Sequence, residues 1–528
     1  MTSDRYSDVP RRLQAGRARK MGDMTELAPS LVELARRFGI ATEYEDWTGR
    51  RALVAEATLV AVLAALGVTA GTEQERKAAL TAQVRSYWQR RLPATIVGRS
   101  GAQTRFWVHV THGHPAEVWL QLEDGTVRGG VQQVDNFTPP FDLDGRWVGE
   151  ASFTLPTDLP LGYHRVYLRS GDSETSTALI VTPDWLGLPE QLGARRAWGL
   201  AVQLYSVRSP QSWGIGDLSD LTDLAVWSAF RHGADYILVN PLHAAAPTTP
   251  MEPSPYLPTS RRFINPLYLR VEAIPEFADL TKRGRVRRLR EEVRQRAGQL
   301  DGIDRDSAWE AKRVALKLLH SVPRSAGREL AYAAFRDREG LALDDFATWC
   351  ALAEEYGGDW HRWPKSLQHP DAAGVAGFTE RNSDAVDFHR WLQWQLDEQL
   401  ASAQSQATRA GMALGVMHDL AVGVHPNGAD AWALQDVLAL GVTAGAPPDE
   451  FNQLGQDWSQ PPLRPDRLDE QGYRPFRALI RTVLRHAGGV RIDHIIGLFR
   501  LWWIPRGAPP TQGTYVRYNH EAMIGIVA

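Results

Sequence analysis

Val490-Arg491-Ile492-Asp493-His494 is the stretch on which the reading of the fold turns. Arg491 and Asp493 alternate with Val490 and Ile492, as in a short strand that sends both polar side chains to one side. Asp493 falls at the C-terminal end of that strand, where α/β barrels keep their catalytic groups. A guanidinium so close favours the ionised carboxylate, which is the form a nucleophile needs. Taken alone, the pair fits a structural ion pair at a strand end equally well.

Working back along the chain, three more short apolar strands are expected at Gly199–Tyr205, Tyr236–Asn240 and Ala413–Asp419. Helices intervene. One starts at Asp217, carries Leu221, Leu224 and Trp227, and stops near Gly233. Two others present apolar faces through Phe388, Trp391, Leu392, Leu396 and Leu400, and through Phe476, Leu479, Ile480, Val483 and Leu484. Strand–helix alternation with fully apolar strands predicts a parallel sheet covered on both faces. The fold class is therefore α/β: an incomplete (β/α)8 barrel of four strands over 190–528. A charged helical insertion is expected at about 278–405.

Upstream, the period changes. Phe106–Val110, Val118–Leu122 and Val166–Leu168 are β-like and are separated by Asp124-Gly125, Asp144-Gly145 and Gly171-Asp172. They predict a small β-sandwich over 92–183, followed by a Pro/Gly linker at Pro183–Ala194. A helical segment is expected at 24–91. Residues 1–23 are polar and Arg-rich without an apolar core, which reads as a disordered extension rather than a secretory signal.

Composition narrows the function classes. A formal net charge of -3 argues against nucleic acid or a membrane surface as partner. No apolar run is long enough to span a bilayer, and the single Cys350 fits a reducing, cytoplasmic compartment. No cluster of His, Cys, Asp and Glu has metal-ligand spacing, so neither a metal nor an organic cofactor is expected. The 19 tryptophans suit sugar stacking, although buried Trp is most often core.

Candidate site residues gather at the ends of the expected strands. Asp419 closes Met417-His418-Asp419-Leu420, and Tyr256 lies in Ser254-Pro255-Tyr256, ahead of Asn265-Pro266. Phe451 and Trp458 follow Gly445-Ala446-Pro447-Pro448-Asp449 on a Pro/Gly-shaped loop; each alone fits ordinary loop packing as well as sugar stacking. In Trp213-Gly214-Ile215-Gly216-Asp217 the glycines shape a turn and Asp217 caps the helix.

These motifs, in this order, resemble the amylomaltase family of 4-α-glucanotransferases in the α-amylase superfamily. Leu161-Gly162-Tyr163-His164, Phe388–Trp394 and Asp430-Ala431-Trp432 extend the likeness from about Leu27 to Ala528. The resemblance implies transfer of α-1,4-glucan segments between maltooligosaccharides by a retaining double displacement. Asp493 would be the nucleophile, with Arg491 holding its charge and His494 touching the adjacent sugar. Asp419 would bind sugar hydroxyls, while Tyr256, Phe451 and Trp458 stack on the glucan. Ser459 departs from the family, which usually has glycine after this tryptophan.

The family's acid/base glutamate, in Gly-Glu-Asp-Leu-Gly, has no counterpart here, and neither has its later Asp preceded by His. Glu521 opens a helix rather than ending a strand. The expectation is a fragment, inactive and poorly soluble as written. Two other readings stay open: an α-glucan hydrolase, and a non-catalytic glucan-binding protein built on the sandwich. Oligomeric state is not legible.

Overall fold

The computed structural model describes residues 27–528, so the extension expected at 1–23 lies outside the described residues. Four parallel strands form one sheet in chain order: Gly199–Val202, Tyr236–Val239, Gly415–Leu420 and Gly489–Ile492. All four expected positions are strands. The two central strands are largely buried, whereas the first and fourth, at the sheet edges, are half-exposed.

Helix Leu218–His232 follows the first strand. Asp217 caps it by accepting from the Ser219 and Asp220 amides, and Gly233 ends it at φ 66°, the left-handed turn that glycine adopts without steric cost. Six helices, from Arg283–Ala297 to Ser383–Arg409, fill the space before the third strand. The last of them lies against helix Leu218–His232 and against the third strand, burying Trp391, Leu392, Leu396 and Leu400.

Two stretches differ from the expectation. The segment read as helical at 24–91 holds helices Pro29–Arg37, Glu56–Ala65 and Glu73–Gln89, but also a hairpin, Glu43–Glu45 with Arg51–Leu53. Asp46 makes its turn by accepting from the Thr48 and Arg50 amides, and Gly49 supplies φ 78°. The loop expected after Gly445 is itself a hairpin, Val442–Ala446 with Gln456–Gln460. It continues through Arg500–Pro505 and Thr514–Arg517 as a second, antiparallel sheet. Leu59, Val62, Trp503 and Val516 share one core between the N-terminal helices and this sheet.

Strands between Thr95 and Thr182 make a sandwich of two sheets around Phe106, Val108, Leu120, Val166 and Leu179. Its Leu161–His164 corner meets the helix before the fourth parallel strand, where the Arg477 guanidinium stacks 3.3 Å from the Tyr163 ring centroid. Glu521 opens helix His520–Val527 and ties it to the sandwich through Arg99 at 2.6 Å. That carboxylate is committed to the sandwich strand Thr95–Arg99 and not to an end of the parallel sheet.

Candidate active site

The site is built by register. In the parallel pairing of the third and fourth strands, Asp419 lies opposite Arg491, so both side chains leave the sheet on one face. Arg491 Nη1 donates to Asp419 Oδ1 at 2.6 Å, and Nη2 donates to Asp493 Oδ1 at 2.9 Å. One guanidinium therefore spans both carboxylates, and its pKa is raised, chiefly by the bond to Asp419. The Asp419 side chain is 5% exposed and that of Asp493 31%, so the second faces the open rim.

Tyr256 reaches in from the loop after the second strand and donates its hydroxyl to Asp419 Oδ2 at 2.8 Å. Burial, and then that bond, push its phenol up to about 12. Both Asp419 oxygens thus accept hydrogen bonds from protein donors.

His494 takes the left-handed conformation, φ 51°, and so turns the chain away immediately after Asp493. Its pKa is lowered by burial, which keeps the ring a neutral donor/acceptor. The Trp458 ring meets it edge-on, with centroids 4.8 Å apart. A bulge places that tryptophan: Ala444 pairs with Gln460 but Gly445 pairs with Asp457, leaving Trp458 and Ser459 unpaired between them. Ser459 sits at φ 59°, a left-handed position where glycine costs least.

Asp493 and His494 line a cleft with Gln460, Arg261 and the Leu420–Val424 segment. Six of the seven residues singled out in the sequence form one connected group: Asp493, Arg491, Asp419, Tyr256, His494 and Trp458. Phe451 is not in contact with it. It stands 96% exposed on a turn that Asp449 closes by accepting from the Phe451 and Asn452 amides.

Sequence reasoning missed Arg261 and Gln460. Arg261 donates to the Ala421 and Val422 carbonyls, at 3.1 and 2.6 Å, and so pins the segment after Asp419. Gln460 donates to the Tyr256 carbonyl at 2.7 Å. All three bonds join residues far apart in sequence, so no local pattern announces them.

Among the described residues, no helix is long and apolar enough to cross a membrane, and no group of three or more His, Cys, Asp and Glu could hold a metal ion.

Comparison with known proteins identifies the family and the fold. Residues 202–528 match the family model described as 4-alpha-glucanotransferase, and residues 91–183 match the MalQ N-terminal beta sandwich domain. The chain is 80% identical to a 4-alpha-glucanotransferase of Mycobacterium tuberculosis over 511 residues, covering 96% of this chain and 71% of that protein. A 4-alpha-glucanotransferase of Haemophilus influenzae is 36% identical over 70% of this chain and 55% of its own length. The amylomaltase structure from Corynebacterium glutamicum superposes with a TM-score of 0.86 at 46% identity, covering 94% of this chain and 70% of that one. The chain belongs to the 4-alpha-glucanotransferase family, and within it is similar to the amylomaltases. It is a transferase with an α/β fold preceded by a β-sandwich.

Proposed function

We propose that this protein transfers α-1,4-glucan segments between maltooligosaccharides by a retaining double displacement, with Asp493 as nucleophile. The observation that carries this reading is the Arg491 guanidinium shared by Asp493 and Asp419 at a parallel strand end. Arg491 aims Asp493; the free Asp493 oxygen attacks the anomeric carbon, and the glycosidic oxygen leaves with the bonding electrons, taking its proton from a second carboxyl that then accepts the proton of the incoming hydroxyl. A second sugar then displaces Asp493 from the anomeric carbon, restoring the α configuration.

In this reading Asp419 accepts from sugar hydroxyls, and Tyr256 sets its orientation. His494 contacts the sugar being transferred. Trp458 and the exposed Phe451 offer aromatic faces to the incoming glucan. The four-strand sheet is the first half of a (β/α)8 barrel over 190–528, with the helical stretch 278–405 inserted. The sandwich, 92–183, and the mostly helical segment before it precede the barrel, and helix Glu56–Ala65 shares a core with the antiparallel sheet. The protein works in the cytoplasm on soluble maltodextrins.

Retention requires a second carboxyl about 5–5.5 Å from the nucleophile to protonate the leaving oxygen. Asp419 is committed to two donors, and Glu521 is bound to Arg99. We infer that residues 1–528 by themselves do not complete transfer from an ordinary glucan.

Incubation with maltotriose tests both statements. A chain extended to the full length of its Mycobacterium relative yields a ladder of longer glucans, and residues 1–528 alone do not. Glucose release without a ladder means hydrolysis, and inertness of both chains overturns the assignment. A ladder from residues 1–528 overturns the need for a further carboxyl.

A further inference from the structure

Gln460 is 95% buried by its 5% residual exposure, yet the bond its side chain makes is to backbone across the cleft. Nε2 donates to the Tyr256 carbonyl, and Oε1 has no partner. It is the first paired residue after the Trp458–Ser459 bulge, so the strand carrying Trp458 and the loop carrying Tyr256 meet at this side chain. Gly423, on the segment after Asp419, makes room for it. A Cβ there would lie 2.8 Å from Gln460 Oε1 and 2.9 Å from Gln460 Cβ. The Gly423 backbone is not left-handed, so space and not conformation is what excludes a side chain.

We propose that Gln460 is a positioning residue that locks the Tyr256 loop to the Trp458 hairpin, and through Tyr256 fixes the orientation of Asp419. The inference rests on the glucan-site reading above. A buried amide with one oxygen unpaired is an expensive filler, whereas an apolar side chain of that size would satisfy packing alone. What the amide adds is a direct link between the Tyr256 loop and the Trp458 hairpin, beside the longer path through Asp419, Arg491 and His494. An acceptor glucan stacking on Trp458 then bears on the same unit that holds Asp419.

The test uses the full chain, acarbose as probe, and the variants Gln460→Met, Gln460→Glu and Tyr256→Phe. Methionine keeps the length without polar hydrogens; glutamate keeps the shape but gives no N–H to Tyr256. Both weaken acarbose binding about tenfold, the scale of one lost buried hydrogen bond. Combined with Tyr256→Phe, neither weakens it beyond the larger single effect, because the two residues act in series. Additive losses overturn the proposal. Amide exchange at Ser254–Leu257, which needs no glucan, accelerates in Gln460→Met; unchanged exchange overturns the lock. Failure of the wild-type chain to bind acarbose would overturn the glucan-site reading instead, and exchange would still decide the lock.

Discussion

Asp419 and Arg491 face each other in register on adjacent parallel strands, and 2.6 Å separates Asp419 Oδ1 from Arg491 Nη1. The carboxylate is nearly sealed from solvent, while the guanidinium is 44% exposed and continues to Asp493. A buried acid thus anchors an arginine whose other arm holds the more open acid at the rim.

Arg491→Ala removes one of the two donors to Asp419. Partial exposure of the arginine tempers the cost, and a loss of about 1–3 kcal/mol is expected by urea denaturation. Adding Asp419→Asn recovers part of that loss, since a neutral amide tolerates the vacated site better than a carboxylate. A double variant less stable than Arg491→Ala contradicts this.

Phe451 separates binding from stability. It is 96% exposed, so Phe451→Ala leaves the stability unchanged to within about 0.5 kcal/mol. Acceptor binding weakens, seen as a raised KM for the acceptor sugar. An unaltered KM removes Phe451 from the binding surface.

Acid lability is expected from two buried histidines behind the site. Burial lowers His418 to about 4 and His243 to about 3, against 6.5 for a free histidine. Between 6.5 and those values the unfolded chain binds protons that the folded chain refuses. Stability is therefore fully present above pH 6.5 and falls as pH drops, by about 1.4 kcal/mol per pH unit for each histidine. The loss from His418 ends near pH 4 and that from His243 near pH 3. Replacing His418 with glutamine flattens the slope of melting temperature against pH; an unchanged slope contradicts the assignment.

Ser459 bears strain that glycine would not. At φ 59°, Ser459→Gly is expected to raise stability by about 0.5 kcal/mol, while Ser459→Val lowers it by about 1 kcal/mol or more. Equal melting temperatures for the two variants would show that the bulge relaxes freely.

Periodicity exposed the parallel strands because each is short and amphipathic helices follow the first and precede the third and fourth. Asp493, Arg491 and Asp419 were legible for the same reason: strand ends are identifiable, and spacing two puts neighbours on one side. The second sheet was not read. Val442–Ala446 and Gln456–Gln460 flank a loop containing two prolines and a glycine, and the third strand of their sheet, Arg500–Pro505, lies beyond the fourth parallel strand. Its aromatic run Leu501-Trp502-Trp503-Ile504 was the signal available. The bonds of Arg261 and Gln460 depend on tertiary closure and leave no local trace.

The most direct test of Asp493 as nucleophile uses a substrate that needs no acid. In α-maltotriosyl fluoride, attack by Asp493 forms the carbon–oxygen bond as fluoride departs with the bonding pair. Residues 1–528, treated with this compound and digested, are predicted to carry one maltotriosyl group on the peptide containing Asp493, and Asp493→Asn is predicted to carry none. A label on another carboxylate, or no label on a chain that binds acarbose, would contradict the account.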